Sequence, residues 1–264
     1  MADYYQQHWI DIDGGRRAAY DQILAYHPAL EPLIKALDLK PGLGVLDVGS
    51  GPGHTTLELA RRVGPSGKVT GVDINAEFVA RAAERARDAS LNAEYVQSAF
   101  PPLKFPNGSF DRVWCKNVLE YVDSAADTVG EMARVTKDGG AVVAVDSDWD
   151  MIALEIDATA RERTERILAA SKGIAVHEPR IGRRLYGLFR DAGLSDVKAE
   201  IFAGADTMGR ALPMLRASFA RYARDSGKVE PREVDAWLAD IDRAIAASKF
   251  FFVLPQFVVR GIKR

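Results

Sequence analysis

The stretch Val45-Leu46-Asp47-Val48-Gly49-Ser50-Gly51-Pro52-Gly53 joins a short apolar run to a glycine-rich turn. Residues 54–62 follow, with apolar side chains at helical spacing. This order predicts a strand, a tight turn and the start of a helix, which is the crossing where open α/β sheets bind nucleotides. Glycine allows positive φ angles and lets a ligand approach the backbone closely. The N–H groups at the start of the helix favour an anionic or polar ligand.

The spacing of the glycines narrows the kind of nucleotide. A pyrophosphate-binding dinucleotide fold has Gly-x-Gly-x-x-Gly, whereas the third glycine here comes one residue earlier. Asp47, Gly49, Gly51 and Gly53 match position for position the Asp-x-Gly-x-Gly-x-Gly motif of the class I S-adenosylmethionine-dependent methyltransferases. The chain resembles that family here, and the resemblance implies S-adenosyl-L-methionine as cofactor, with this loop around its methionine half.

An acid ends the next predicted strand, residues 69–72. Asp73 lies 20 residues past Gly53, where a carboxylate can accept both hydroxyls of a ribose. The resemblance places Ile74 beside the adenine. After the third predicted strand the family commonly has Gly-Asp-Ala, whose acid contacts the adenine amino group. This chain has residues 98–100, Ser-Ala-Phe, so Ser98 or backbone groups substitute and the phenyl ring covers the base.

Further along, residues 103–111 resemble the Leu-Pro-Phe-x-x-x-Ser-Phe-Asp stretch of the small-molecule, quinone-methylating branch of the family. Residues 117–122 match the family's segment under the sulfonium. Five motifs therefore agree in order from 45 to 145. The residues that we assign to the cofactor from this resemblance are Asp47, Gly49, Ser50, Gly51, Gly53, Thr55, Asp73, Ile74, Ser98, Ala99, Phe100 and Asn117.

The resemblance implies an α/β fold. We expect a Rossmann-like, seven-stranded, mostly parallel sheet with the last strand antiparallel, flanked by helices. Residues 1–40 are predicted to form an N-terminal helical cap segment. Residues 41–202 and 251–264 are predicted to form the methyltransferase domain, and residues 203–250 a helical lid inserted between strands 6 and 7.

Methyl transfer from a sulfonium needs alignment of the reacting atoms more than strong chemical catalysis. A phenol, an amine or an activated carbon as acceptor would also benefit from a nearby base. The candidate bases are His8, His177, Asp146 and Asp148, although a lone histidine is more often structural and acids at this position also cap helices. Arg180, Arg183 and Arg184 would suit a carboxylate or phosphate on the substrate, or form a solvated helix face.

Composition excludes several classes of function. The 264 residues carry 35 Lys and Arg against 37 Asp and Glu, so no overall field attracts a nucleic acid. The lone Cys115 and the spacing of the four histidines predict no metal site. A polar N-terminus and the absence of a run of about 18 apolar residues predict a cytoplasmic protein without a membrane span.

The leading hypothesis is O-, N- or C-methylation of a small, apolar or aromatic acceptor. An RNA or protein methyltransferase on the same fold is an alternative, although no basic appended domain is evident. A nicotinamide oxidoreductase is disfavoured by the glycine spacing. A cofactor-binding regulator that has lost catalysis is an alternative from a different class. The assembly state is open between a monomer and a homodimer.

Overall fold

The computed structural model describes residues 9–10 and 12–264. Its strands are β1 (Gly44–Val48), β2 (Lys68–Asp73), β3 (Ala93–Gln97), β4 (Phe110–Lys116), β5 (Thr136–Ser147), β6 (Ala153–Glu155), β7 (Ser195–Phe202), β8 (Phe251–Val253) and β9 (Gln256–Ile262). Within the described residues, seven of them form one sheet in the order β3-β2-β1-β4-β5-β9-β7. Strands β6 and β8 pair separately as an antiparallel ribbon.

The first five strands are paired in parallel, with β1 at the centre between β2 and β4. The last strand, β9, runs antiparallel to both of its neighbours, β5 and β7. It therefore lies inside the sheet, one strand from the edge. The predicted fold class, a seven-stranded, mostly parallel sheet with its last strand reversed, is confirmed. The strand order reverses direction between β1 and β4, and ligands of open α/β sheets bind at such a switch point.

The helices are α1 (Gly14–Ile23), α2 (Glu31–Lys35), α3 (His54–Val63), α4 (Ala76–Asp88), α5 (Ala125–Val135), α6 (Arg161–Ala175), α7 (Ile181–Asp191), α8 (Leu212–Met214), α9 (Arg221–Asp225) and α10 (Pro231–Ala246). A π-helical segment, Leu215–Ala220, connects α8 to α9. Three short 3₁₀ turns cover Pro28–Leu30, Trp149–Met151 and Ala158–Ala160.

Each face of the sheet is covered by helices because successive strand residues point to opposite faces. Leu46 and Cys115 belong to a core that also contains residues of α5 and α7. Val45 and Trp114 belong to the core on the other side, which contains residues of α2 and α3. Both faces are therefore buried, and the carboxyl ends of the strands remain as the place for a site.

A third hydrophobic core lies outside the sheet. It is built by residues from 149 to 176 together with residues from 215 to 252. The fully buried Trp237 of α10 and Phe219 of the π-helical segment are among its largest side chains. The elements between β5 and β7 thus pack with those between β7 and β9. We call this unit, residues 149–176 and 211–254, the helical cover.

Candidate active site

A cavity of about 670 Å³ lies at the carboxyl ends of the central strands. Residues next to the ends of four parallel strands line it: Gly49 after β1, Asp73 at the end of β2, Asn117 after β4 and Ser147 at the end of β5. The opposite wall consists of residues from α1 and from the helical cover. Sheet and cover therefore enclose one space between them.

The loop after β1 lies against this space with its backbone. Gly49 has φ +74°, and a Cβ atom there would lie 2.2 Å from Cγ2 of Val118, so only glycine fits without a shift. Its N–H group donates to the carbonyl of Val72 at 2.8 Å, which ties the loop to the end of β2. The loop after β1 therefore packs closely against Val118, and its backbone forms part of the cavity wall.

Asp73 connects this loop to the start of α4. Its Oδ2 accepts from the N–H of Gly51 at 2.8 Å, and its Oδ1 accepts from the N–H of Asn75 at 2.9 Å. The side chain lines the cavity, and burial raises its pKa above the usual value for an aspartate. A carboxylate has about four lone-pair positions, so Asp73 keeps acceptor capacity beyond these backbone N–H groups. Asp73 therefore fits a ligand with two adjacent hydroxyls.

Asp47 supports the loop without lining the cavity. It is buried, and the Thr56 hydroxyl donates to its Oδ2 at 2.6 Å. Burial raises the pKa of Asp47 to about 7, and the negative charge of Asp73 adds to the rise while the Thr56 hydrogen bond opposes it. The hydrogen bond from Thr56 to Asp47 was not predicted from the sequence. Thr55, which was assigned to the cofactor, lies half-buried on α3.

The remaining glycine-loop residues have packing positions. Ser50 is buried beside Gly71, and Gly53 begins α3 with φ +86°. A Cβ at Gly53 would lie 2.6 Å from Cβ of Ala82 on α4. The loop is therefore fixed between α3 and α4, which leaves Gly49 and Gly51 as its members in the cavity wall.

The loop after β3 supplies an apolar part of the wall. Ile74, Ala99 and Phe100 line the cavity, as expected for the side that would hold a flat ring. Ser98 instead shapes the loop, because its N–H donates to the carbonyl of Asp73 at 2.9 Å and its Oγ donates to the carbonyl of Ala99 at 2.9 Å. Ser98 was predicted to take the place of the family's acid at the adenine. Its backbone N–H already donates to Asp73 at the end of β2.

Polar side chains form a hydrogen-bonded floor after β4 and β5. Nζ of Lys116 donates to Oδ1 of Asn117 at 2.7 Å, and Nδ2 of Asn117 donates to Oγ of Ser147 at 3.0 Å. Nε2 of Gln256 also donates to that Oγ, at 2.7 Å. Burial lowers the pKa of Lys116, while the acids around it oppose that change. Asn117 was predicted from its motif, whereas the other three residues were not.

The wall opposite the floor is aromatic. Trp149 stacks on Phe219 with ring centroids 4.9 Å apart. Tyr20 from α1 and Tyr222 from α9 also line the cavity, and both are buried. Asn75, the residue that caps α4, holds the N-terminal segment in place by donating to the carbonyl of Trp9 at 2.8 Å. This half of the cavity suits an apolar or aromatic molecule.

The four predicted bases occupy different places. Asp146 is fully buried below the cavity, and its Oδ2 accepts from the N–H groups of Val118 at 3.3 Å and Leu119 at 2.9 Å. Asp148 is fully buried and paired with Arg183, whose Nη2 donates at 2.8 Å. It also caps a 3₁₀ turn, the structural alternative weighed for it. His8 lies outside the described residues.

His177 is exposed at the surface, and its Nδ1 lies 2.8 Å from the carbonyl of Val122. The arginines predicted near a substrate are each paired with an acid of this chain: Arg180 with Asp150, Arg183 with Asp148 and Arg184 with Glu178. Within the described residues, no group of three or more His, Cys, Asp and Glu side chains could hold a metal ion. No helix in residues 9–10 or 12–264 is long and apolar enough to cross a membrane.

Comparison with known proteins agrees with this geometry. Residues 45–140 match the family model of the methyltransferase domain. They are a methyltransferase domain. The match contains the glycine loop, Asp73 and Asn117, and the predicted family, the class I S-adenosylmethionine-dependent methyltransferases, is confirmed.

Two relatives show how far the likeness extends. The chain is 30% identical over 238 residues to an uncharacterized 37.1 kDa protein in transposon TN4556 of Streptomyces fradiae. This match covers 86% of this chain and 64% of that protein. It is 33% identical over 115 residues to the ubiquinone/menaquinone biosynthesis C-methyltransferase UbiE of Shewanella pealeana, which covers 43% of this chain and 46% of that enzyme. The chain thus spans less than two thirds of the length of these relatives.

Among solved structures, the YcgJ protein of Bacillus subtilis superposes with a TM-score of 0.61 at 21% sequence identity. The match covers 90% of this chain and 99% of that one. At this level of identity the likeness shows the shared fold.

Proposed function

We propose that the protein methylates a small, largely apolar or aromatic molecule with S-adenosylmethionine as the methyl donor. The observation that supports this most is the division of one cavity between the glycine loop with Asp73 on one side and the aromatic wall of the helical cover on the other. The membership of residues 45–140 in the methyltransferase domain family supports the cofactor.

The residues present fit that cofactor. Asp73 has unused lone pairs toward a ribose diol, the backbone at Gly49 leaves no room for a side chain, and Ile74 and Phe100 offer apolar surface for a base. Asn117, with φ +53°, is held by its own N–H bond to the carbonyl of Val145 and lines the floor beside the loop. When bound, S-adenosylmethionine supplies a methyl group on a sulfonium sulfur, and the thioether that remains after transfer is an excellent leaving group.

The protein then has to align the acceptor with the methyl group and to exclude water from the reacting atoms. The floor of Lys116, Asn117, Ser147 and Gln256 is a connected set of hydrogen bonds, so its polar atoms are preorganised. The aromatic wall over it limits access of water to the reacting atoms. These two features favour a reaction whose barrier is lowered by orientation.

The helical cover is proposed as the lid that selects the acceptor. In this proposal residues 203–250 do not act alone, because residues 149–176 belong to the same hydrophobic core. The N-terminal residues 1–40 are proposed as a second covering segment, since Trp9, Tyr20 and Leu24 line the cavity. The rest of the predicted methyltransferase domain, residues 41–202 and 251–264 without the parts that belong to the helical cover, is proposed as the catalytic domain.

The charges at the cavity favour a small acceptor over a nucleic acid. Its acidic residues include Glu120, Asp123 and Asp127, and among the described residues that line it Lys116 is the basic one. Phosphates of RNA would be repelled by this wall. The identity of the acceptor atom, the cytoplasmic location and the choice between a monomer and a homodimer stay predictions.

The test is transfer of a labelled methyl group from S-adenosylmethionine into separate pools of phenols and quinones, indoles, amines, fatty acids and bulk RNA. We expect label in a small-molecule pool and none in RNA. Label in RNA would contradict the acceptor class while keeping the reaction. Cofactor binding with no label in any pool would contradict the proposed reaction and favour a regulator that binds the cofactor.

A further inference from the structure

Glu120 is a buried carboxylate that lines the acceptor side of the cavity. Only 2% of the residue is exposed, although it belongs to a short turn after β4. Its Oε2 accepts a hydrogen bond from the indole Nε1 of Trp149 at 2.8 Å. Trp149 in turn stacks on Phe219, so the donor is fixed by the helical cover. A carboxylate is rarely buried without a reason, and here an aromatic side chain positions it.

The backbone of this turn is held from two sides. Below it, Asp146 accepts from the N–H groups of Val118 and Leu119. The carbonyl of Glu120 accepts from the N–H groups of His177 at 2.8 Å and Glu178 at 3.1 Å. The carboxylate therefore stands on a rigid support, which is the requirement for a group that must meet a substrate atom at a defined position.

The surroundings make Glu120 a stronger base than an exposed glutamate. Burial raises its pKa, and the hydrogen bond from Trp149 only partly opposes this rise. The charged groups that face it are Asp146 of β5 and Lys116 at the end of β4. The side-chain hydrogen bond of Asp146 and the positive charge of Lys116 both lower the pKa of Glu120, while burial and the charge of Glu120 raise the pKa of Asp146. Tyrosines complete the surroundings, namely Tyr121 beside it and Tyr20 and Tyr222 around Tyr121.

We propose that Glu120 is the general base of the methyl transfer, and this inference rests on the proposed function. A bond forms between the methyl carbon and an oxygen or nitrogen of the acceptor, and the bond from that carbon to sulfur breaks with its electron pair going to sulfur. The proton leaves the acceptor's O–H or N–H for the carboxylate of Glu120, which releases it to solvent after the product departs. Trp149 and Asp146 are positioning residues for this carboxylate.

This assignment narrows the acceptor to a molecule that has an ionisable hydroxyl or amine. The carboxylate of Glu120 would repel an acceptor that is already anionic, such as a fatty acid or a phosphate ester. It would attract an amine, and the aromatic side chains beside it favour a cationic or aromatic body. The acceptors we expect are therefore phenols, indoles or amines.

The test uses the full chain with the substitutions Glu120→Gln, Glu120→Asp and Trp149→Phe. Glu178→Gln is the matched control, because the backbone N–H of Glu178 donates to the carbonyl of Glu120 while its side chain pairs with Arg184 and does not line the cavity. All variants are compared for thermal unfolding, for S-adenosylmethionine affinity by calorimetry and for transfer into the phenol, indole and amine pools over a range of pH.

We expect Glu120→Gln to keep its fold and its cofactor affinity and to lose about 10²- to 10⁴-fold in kcat, the usual contribution of a general base. The wild-type rate should rise with pH as the carboxylate ionises, and Glu120→Gln should lack that rise. Trp149→Phe should move the rise to higher pH, because the lost N–H donor stabilised the ionised form. Wild-type kcat and an unchanged pH profile in Glu120→Gln would overturn the proposal.

A second readout needs no acceptor. The fluorescence of Trp149, taken as the difference between the wild type and Trp149→Phe, should titrate with the carboxylate that accepts its N–H. This titration should lie above the normal range of a glutamate and be absent in Glu120→Gln. If the wild type methylates no pool, the proposed function fails, while the titration still decides the basicity of Glu120. Its absence in the wild type would overturn the assignment.

Discussion

The two walls of the cavity are built in different ways. On the sheet side, the contacts are made by backbone groups and by residues that directly follow strands, such as Gly49 and Asp73. On the side of the helical cover, the wall consists of large side chains whose positions depend on a separate hydrophobic core. Trp149 and Phe219, for example, lie 70 residues apart in sequence and stack at 4.9 Å.

This difference indicates how well each wall of the cavity tolerates substitution. The sheet wall has short-range geometry that a single methyl group would disturb, so it suits a constant ligand. The cover can be repacked with other apolar side chains of similar volume, so it suits a variable ligand. We infer that the sheet side holds the cofactor and that the cover side sets the choice of acceptor.

The largest effect is expected for Trp237→Ala in the core of the cover. Trp237 is fully buried in that core and does not line the cavity. Truncation of a buried tryptophan costs about 3–5 kcal/mol of stability. Chemical denaturation should show this loss, whereas Met208→Ala, at a residue 67% exposed, should show little change. Equal losses in the two variants would mean that the cover has no core of its own.

The next effect is expected for Gly49→Ala in the sheet wall. The new Cβ would lie 2.2 Å from Val118 at a positive φ, so the loop must shift. We expect roughly 2–4 kcal/mol of destabilisation from strain and overpacking together, and weakened cofactor binding in calorimetry. Val118→Ala in the same chain should recover the overpacking part.

Gly130→Ala is the matched control for that substitution. Gly130 lies within α5, and a Cβ there would have nothing within 4 Å. Alanine is the better helix former by about 1 kcal/mol, so this variant should be slightly more stable than the wild type. A loss in Gly130→Ala as large as that in Gly49→Ala would show that the loop has no special geometry.

A smaller effect is expected for Asp47→Asn behind the loop. The pKa of Asp47 is about 7 in the folded protein, above its usual value of 3.8. The folded state therefore binds more protons between these values, and stability falls as the pH rises through this window. The asparagine keeps an acceptor for Thr56 but does not ionise. We expect the variant to be more stable than the wild type at pH 8, seen as a higher Tm, and to gain nothing near pH 4.

A thermal scan at each pH measures this difference. The gain should fade as the pH is lowered, because the carboxyl group of the wild type is then protonated and uncharged, as the amide is. A gain of the same size at both pH values would mean that ionisation of Asp47 does not limit stability.

The residues of the sheet wall could be predicted from the sequence because each of them directly follows a predicted strand. The glycine spacing, Asp73 and Asn117 all directly follow predicted strands, and the carboxyl ends of parallel strands meet at one edge. Even there, the contact of Thr56 with Asp47 was not predicted, although Thr56 shares the first turn of α3 with Thr55, which was assigned to the cofactor. A shift by one residue on a helix changes which face a side chain occupies.

The other wall could not be read because its contacts join distant residues. Glu120 stands in an otherwise apolar run, which is a signal, but its partner Trp149 is 29 residues away. The predicted base Asp148 likewise pairs with Arg183, which is 35 residues away. The packing of residues 149–176 with residues beyond β7 could not be predicted for the same reason.

The division of the cavity is tested most directly by calorimetric titration of S-adenosylmethionine into the wild type, Asp73→Ala and Phe219→Leu. We predict that Asp73→Ala loses roughly 3 kcal/mol, more than a hundredfold in Kd, because two hydrogen bonds to a charged group disappear. Phe219→Leu should bind the cofactor as the wild type does. Unchanged affinity in Asp73→Ala, or an equal loss in Phe219→Leu, would contradict the assignment of the cofactor to the sheet wall.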